Sequence, residues 1–306
     1  MKREAQPLLS ADGQLALEQY MQVLKHLEDL SPVTTRNYLS DLGQFIAWCE
    51  CSWRDIQEGR SFTPQAVAPS LLIRYREYLQ TTLDLKPSTV NRTLMSLKRY
   101  FAWSRKTQLT QSDPASPIKF VPKKASPPRH LSDEEEDALV AAVNAGALRD
   151  QAIITLLLHT GLRAQELCTL TRQQIHLGKR NGTLRITGKR RKAREVPLNT
   201  TARSALNQYL ETLPSEYQYL FPSKKTHGAL TGRALGHLVT KYATQARVAD
   251  ISLHDLRHRF GYRMAEVVPL HRLTQIMGHD SLDTTMLYIR GTKQDLQKDV
   301  EKIAWI

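Results

Sequence analysis

The chain has 306 residues, 41% of them hydrophobic, and 43 Lys and Arg stand against 30 Asp and Glu for a net charge of +13. That length suits roughly two domains, and the apolar content excludes wholesale disorder. The three cysteines, Cys49, Cys51 and Cys168, form no C-x-x-C pair, which excludes a disulfide framework and a cysteine-based zinc site and suits reduced thiols in a cytoplasmic protein.

Met1 to Pro7 is followed by no apolar signal core, and runs such as Ile153 to Leu158 are too short to span a membrane. The basic excess points to a polyanion, because positive surface concentrates phosphate backbone around itself. A solvated basic surface is the plainer alternative.

Residues 1–12 read as a flexible lead-in. From Gln14, the residues Leu15, Leu17, Tyr20, Met21, Leu24 and Leu27 recur at helical spacing. Ser31-Pro32 restarts the chain as an N-cap followed by proline in the first turn, and the helix runs past Phe45 to Trp48. Pro69 to Leu83 reads as a third helix, and Lys86-Pro87-Ser88-Thr89 opens a fourth that reaches Trp103. A helical domain over 13–107 is therefore predicted. Hydroxyl groups and free backbone N–H groups at the starts near Ser31 and Lys86 can meet phosphate oxygens. Arg36, Arg92, Lys98 and Arg99 add charge there, and simple capping beside solvated arginines is the alternative. The stretch 108–129 holds five prolines with Lys119, Lys123 and Lys124. It reads as a basic, semi-rigid linker, lying along a phosphate backbone or acting as a spacer.

Ser132 or Asp133 caps the next helix. An apolar helix over Arg149 to His159 stops at Gly161, and Arg163 follows at the start of a short helix, where Glu166 is placed to pair with it at i,i+3. Thr183 to Lys189 and Arg194 to Leu198 read as two strands of a hairpin. From Lys179 to Arg194 there are eight basic residues and no acidic one, which suits a hairpin tip, with Arg190, Arg191 and Lys192, set against nucleic acid. Helices follow over Ala202 to Leu213, Ala234 to Ala249 and Ser252 to Val267. The last carries His254, Arg257 and His258. His254 and His258 have metal-ligand spacing, but Arg257 lies among them and the usual glutamate base is missing, so no metal is expected.

Four ordered phrases resemble the tyrosine recombinases, the phage-integrase or Xer-like family. They are His159-Thr160-Gly161-Leu162-Arg163-Ala164-Gln165-Glu166-Leu167, Gly188-Lys189 before Arg194-Glu195-Val196-Pro197-Leu198, His254-Asp255-Leu256-Arg257-His258, and Gly278-His279 leading to Tyr288. The resemblance implies a mainly α protein with a small β-sheet: a helical N-terminal core-binding domain and a mixed α/β catalytic domain over 130–290. It implies a site-specific recombinase that cuts and rejoins DNA through a 3′-phosphotyrosine, with no metal, no ATP and no other cofactor.

By the same resemblance, Arg163 and Arg257 clamp the scissile phosphate and Tyr288 is the nucleophile. His254 is the general base, Lys189 the acid that protonates the leaving 5′-oxygen, and His279 a donor to the phosphate. Glu166 supports the site. Three positions depart from the pattern: Arg190 where glycine is common, Arg259 where a small hydroxyl residue is common, and Gln174 in place of an aspartate.

Residues 291–306 read as a tail helix with Leu296, Val300 and Ile303 on one stripe. Such a stripe can dock on its own domain; in recombinases resembling this chain the terminal helix packs on a neighbouring subunit, implying a homotetramer on double-stranded DNA with paired inverted recognition sites. The length leaves no room for an additional arm-binding domain, which points to a dimer resolver or to the resolvase or integrase of a mobile element. A catalytically silent DNA-binding regulator on the same scaffold is the alternative. A metal-dependent nuclease would need clustered carboxylates, whereas the acidic residues here are scattered.

Overall fold

The computed structural model describes residues 8–26, 30–54, 61–122, 129, 131–187, 193–279 and 281–288. The chain forms two compact units, Met1–Ala125 and Ser126–Ile306.

The first unit is helical: α1 (Ala11–His26), α2 (Pro32–Arg54), α3 (Pro69–Glu77, continued by a π turn over Tyr78–Thr82) and α4 (Pro87–Lys106). The starts predicted at Ser31, Pro69 and Lys86 hold, whereas α1 begins at Ala11, inside the stretch read as a lead-in, where the Ser10 N–H donates to Glu50 at 3.0 Å. The Ser31 hydroxyl accepts the Thr34 N–H at 3.1 Å, and prolines open α3 and α4, where the missing N–H costs nothing. Phe45, Phe62, Tyr75 and Phe101 make the aromatic centre of the core, with edge-on contacts around Phe45.

Two of the side chains expected at DNA have partners within this unit. Arg92 donates to the buried Asp41 at 2.5 Å and so joins α4 to α2. The Lys98 ammonium donates to the carbonyls of Ala115 and Ser116 at 2.6 and 2.9 Å. Arg36 stays exposed on the first turn of α2.

The stretch expected to be a linker is docked over its first part. Ala115 and Ile118 are buried in this core. Asn91 bonds both backbone groups of Val121, at 2.8 and 2.7 Å, and Arg76 donates to the Lys119 carbonyl at 3.1 Å. Prolines do not hold such a segment out in solvent when side chains of α4 satisfy its carbonyls and two apolar residues reach the core.

The second unit contains α5 (Asp133–Asn144), α6 (Leu148–Thr160), α7 (Ala164–Cys168), β1 (Ile175–Leu177), β2 (Gly182–Thr187), β3 (Ala193–Pro197), α8 (Thr200–Thr212), α9 (Gly232–Gln245), α10 (Leu253–Ala265), α11 (Leu270–Met277) and α12 (Leu282–Met286). The β2–β3 hairpin is as predicted. The sheet also gains β1, so that among the described residues it runs β1-β2-β3, antiparallel throughout, with Leu184 facing Ile175 and Val196. A three-residue edge strand carries too little alternation to be seen in sequence. Helices α11 and α12 were likewise not set out by the sequence pattern.

The apolar α6, with Ile153, Leu156 and Leu157 fully buried, is the spine of the core. Ser132 and Glu135 close a reciprocal capping box at α5. Two departures from the family pattern are absorbed here. Gln174 accepts both the N–H and the hydroxyl of Thr171, at 2.9 and 3.1 Å, as a capping side chain would. Arg259 is buried and donates to Glu136 at 2.5 Å and to Asp133, tying α10 to the acidic first turn of α5. The hairpin tip with Lys189, Arg190, Arg191 and Lys192, and the tail helix over 291–306, lie outside the described residues.

Candidate active site

Helix α10 begins with a capping box between Ser252 and Asp255. This puts His254, Arg257 and His258 on its first two turns. Arg257 is 3% exposed. Its guanidinium donates to the Gly161 carbonyl, just beyond α6, and to the Met277 carbonyl at 2.9 Å. These bonds use two of the five N–H groups that a guanidinium carries.

Arg163, immediately before α7, donates to Glu166 at 3.0 Å and to the Gly278 carbonyl at 2.6 Å. Its side chain is 44% exposed. A third arginine, Arg194 on β3, donates to the Ile276 carbonyl at 3.1 Å and grips both oxygens of Glu166 at 2.7 and 2.8 Å.

Three successive carbonyls at the end of α11, those of Ile276, Met277 and Gly278, thus receive Arg194, Arg257 and Arg163 in turn. The negative end of a helix is where orphan carbonyls and the dipole favour cations. Gly278 makes this possible. It adopts φ +64°, and a Cβ there would come within 2.9 Å of the Arg194 guanidinium. The sequence reading passed over Arg194. Its signal was a lone arginine in the otherwise alternating Arg194-Glu195-Val196-Pro197 strand, indistinguishable from the rest of the basic run.

Electrostatics follow from this crowding. Burial and the charge of Arg163 bring Arg257 down to about 10, so it stays cationic at neutral pH. Burial would raise the Glu166 carboxyl. The hydrogen bonds from Arg194 and from the Arg163 backbone N–H outweigh that and hold it below the usual carboxylate range. The result is a pocket of converging positive charge, partly balanced by Glu166, whose remaining N–H donors suit a tetrahedral anion.

Tyr288 lies in a small cluster with Phe260, Leu273 and Met277. It is 6% exposed. Tyr262 meets its ring edge-on at 5.2 Å, and His279 stacks on it at 6.3 Å. Its oxygen is 3.1 Å from Nδ1 of His258. Burial raises its pKa while Arg257 pulls it down. His279 follows the α11 stop, and its Nδ1 is 2.8 Å from the Thr285 hydroxyl, which also meets Thr274 at 2.9 Å. His254 packs its ring edge-on against His258 at 4.4 Å.

The structure therefore brings Arg163, Arg257, His254, His279, Tyr288 and Glu166 together, whereas Lys189 lies outside the described residues. His258, Arg194 and Thr285 are the members that sequence reasoning missed. Among the described residues no group of three or more His, Cys, Asp or Glu is placed to hold a metal ion.

Arg194→Ala tests the arginine-capped helix end. It strips Glu166 of its bidentate partner and leaves the Ile276 carbonyl unpaired. Breaking a buried pair costs about 3 kcal/mol, a drop of roughly 6–12 °C in the melting temperature of a unit this size. Thermal melts should show that fall. An unchanged melt would mean the α11 end is held without Arg194.

Acid sensitivity is a second expectation. Burial, with neighbouring positive charge, lowers His254 and takes His258 and His279 to about 4. An unfolded histidine titrates near 6.5. Between about 6.5 and 4 the unfolded chain binds protons that the folded site refuses, so stability is full above that window and falls as pH drops through it. The melting temperature of the catalytic unit should decline from pH 7 to pH 5, less steeply in His279→Gln. A flat profile would contradict the neutral-histidine site.

Comparison with known proteins shows the family and the fold. The model described as the phage integrase family matches residues 129–295, and that of the phage integrase N-terminal SAM-like domain matches 17–108. Tyrosine recombinase XerD of Lacticaseibacillus casei is 31% identical over 279 residues, covering 87% of this chain and 90% of the relative. XerD of Vibrio vulnificus (strain YJ016) is 28% identical over 294 residues, covering 92% of each. Among solved structures, XerH recombinase bound to its difH substrate aligns with a TM-score of 0.72 at 18% identity over 97% of both chains. The Tn1549 transposon integrase in complex with a circular intermediate DNA gives 0.75 at 17% identity, over 94% of this chain and 99% of that one. At those identities the structural likeness speaks for the fold.

Proposed function

The chain belongs to the phage integrase family of tyrosine recombinases, and we propose that Tyr288 is the nucleophile of its strand exchange and that Arg163 and Arg257 receive the scissile phosphate. The protein is a site-specific DNA recombinase that cuts and rejoins strands by transesterification. The observation that carries the assignment is the convergence of both guanidiniums on the end of α11, in the same catalytic unit that holds the Tyr288 oxygen against a neutral histidine.

In the cleavage step the Tyr288 oxygen bonds to phosphorus and the 5′-oxygen leaves. The two arginines meet the charge that grows on the non-bridging oxygens, which is where preorganised donors contribute most. His279, fixed by Thr285, donates to the same phosphate. Lys189 protonates the leaving 5′-oxygen. Glu166 and Arg194 hold Arg163 in place. The phosphodiester energy stays in the protein–DNA bond and is returned when a 5′-hydroxyl attacks it.

The partner is double-stranded DNA, which suits the net charge of +13 and the DNA complexes of XerH and the Tn1549 integrase. Its site is a pair of inverted half-sites on which four copies assemble, with residues 291–306 docking on a neighbouring copy. Arg36 and the tip residues Arg190, Arg191 and Lys192 supply backbone contacts. Arg92 and Lys98 are secondary here because their charges are already engaged. The enzyme works in the cytoplasm with its thiols reduced. Among the described residues no helix is long and apolar enough to cross a membrane.

The test begins with recovery of the DNA that the purified chain selects from a random-sequence pool. A nicked duplex of that sequence is then incubated with the protein in EDTA. A covalent protein–DNA band on a denaturing gel is expected. Selective binding with no such band would favour a silent regulator, and a band that needs divalent metal would overturn the metal-independent reaction.

A further inference from the structure

We propose that Thr285, backed by Thr274, is a positioning residue of the strand exchange: its buried hydroxyl fixes which nitrogen of His279 carries the hydrogen and so leaves Nε2–H for the phosphate. This rests on His279 donating to the scissile phosphate.

Thr285, on α12, is 0% exposed. Its hydroxyl oxygen lies 2.8 Å from Nδ1 of His279 and 2.9 Å from the hydroxyl oxygen of Thr274 on α11. Backbone bonds close the same knot. The His279 N–H donates to the Thr274 carbonyl at 3.1 Å, and the Tyr288 N–H donates to the Thr285 carbonyl at 3.0 Å. Thr274 thus holds the backbone of the histidine. Thr285 holds its ring, and also the backbone of the tyrosine on which that ring stacks. A buried hydroxyl is costly unless it is hydrogen-bonded. If packing were the whole task of position 285, valine would fill the space without that requirement.

The count of hydrogens decides the tautomer. Each threonine hydroxyl has one to give. That of Thr274 reaches either the Leu270 carbonyl or Thr285, both at 2.9 Å. The Leu270 carbonyl belongs to the first turn of α11, whose ladder pairs it with the Thr274 N–H. The Thr274 hydroxyl is therefore the one spare donor for the Thr285 oxygen. Thr285 keeps its own hydrogen for Nδ1, and a neutral imidazole nitrogen is the strongest acceptor within its reach. Burial and the charges of Arg257, Arg163 and Arg194 keep His279 neutral at pH 7, so its ring carries a single hydrogen. With Nδ1 accepting, that hydrogen sits on Nε2, on the side of the ring away from the threonines.

Thr285→Val keeps the shape and removes the hydroxyl, whereas Thr285→Ser keeps the hydroxyl. In the 15N spectrum of the full chain, His279 should be protonated at Nε2 and bare at Nδ1, both in the wild type and in Thr285→Ser. In Thr285→Val both tautomers should appear. A wild-type ring protonated at Nδ1, or a Thr285→Val spectrum identical to the wild type, overturns the inference.

Single-turnover adduct formation on the selected nicked duplex is the second readout. Thr285→Val should be slower by roughly 10-fold, part of the 10²–10³ lost when such a donor is removed outright. DNA affinity should not change, and Thr285→Ser should recover most of the rate. In a His279→Ala background the same valine should slow the reaction no further, because residues that act through one another are not additive. An equal further fall there means that Thr285 acts without the histidine, and the inference fails. Undiminished adduct formation in His279→Ala would instead overturn the phosphate role of His279, and the nitrogen spectrum then decides the tautomer by itself.

Discussion

Tyr288→Phe will fold, bind its selected DNA and leave no covalent band on a denaturing gel. The substitution removes one oxygen and little else. The ring keeps its edge-on contact with Tyr262 and its stack on His279. It also keeps its seat over Gly261, where any Cβ would come within 2.5 Å of the tyrosine ring. One hydrogen bond to His258 is lost, worth about 0.5–1.5 kcal/mol, so melting should shift by a few degrees at most. A loss on the order of 10⁶-fold is expected, as when other enzymes lose their nucleophile. A surviving adduct would have to come from another residue, and Tyr262, in contact with the same ring, is the first to examine by peptide mapping.

Arg257→Lys will also slow the reaction severely, though less than loss of the tyrosine. The native guanidinium bridges the Gly161 and Met277 carbonyls with two of its five N–H groups. An ammonium is a point charge on a flexible stem, and satisfying either carbonyl turns it away from the phosphate. Two charge-assisted hydrogen bonds to the transition state, at about 1.5–3 kcal/mol each, correspond to roughly 10²–10⁴ in rate. Single-turnover adduct formation on a nicked duplex measures this. DNA binding should change far less, because many other cations contact the backbone. A rate within tenfold of the wild type would remove Arg257 from the phosphate site. Melting should also fall, since one of two buried carbonyls is left without a donor.

Local hydrogen-bonding rules made much of the chain legible. The starts at Ser31, Ser132 and Ser252 depend on a side chain and an N–H three residues apart. The apolar run of α6, its glycine stop and the β2–β3 hairpin depend on periodicity and turn chemistry. The motif residues of the site were readable because each belongs to a short phrase with its chemistry written in it. Where local rules conflicted with packing, packing prevailed. The prolines around 114–122 suggested a free linker, but Asn91 and Lys98 hold that stretch against α4. The charges of Arg92 and Lys98 suggested DNA, but each has a partner inside its own unit.

By itself the sequence determined the family, through motif phrases of residue types at short fixed spacings, and by resemblance it nominated the reacting groups. Only the tertiary structure decided how those groups are held. Arg257 finds the Gly161 carbonyl 96 positions away, Arg163 finds that of Gly278 across 115, and Arg194 finds Ile276 across 82. No periodicity reaches so far. The end of α11 collects three arginines because a helix terminus gathers unpaired carbonyls in one place, and that place exists only once the chain has folded around it. The contact of the tyrosine turns on the same point. Tyr288 lies 30 positions from His258, and only its packing against α10 places its oxygen 3.1 Å from that ring.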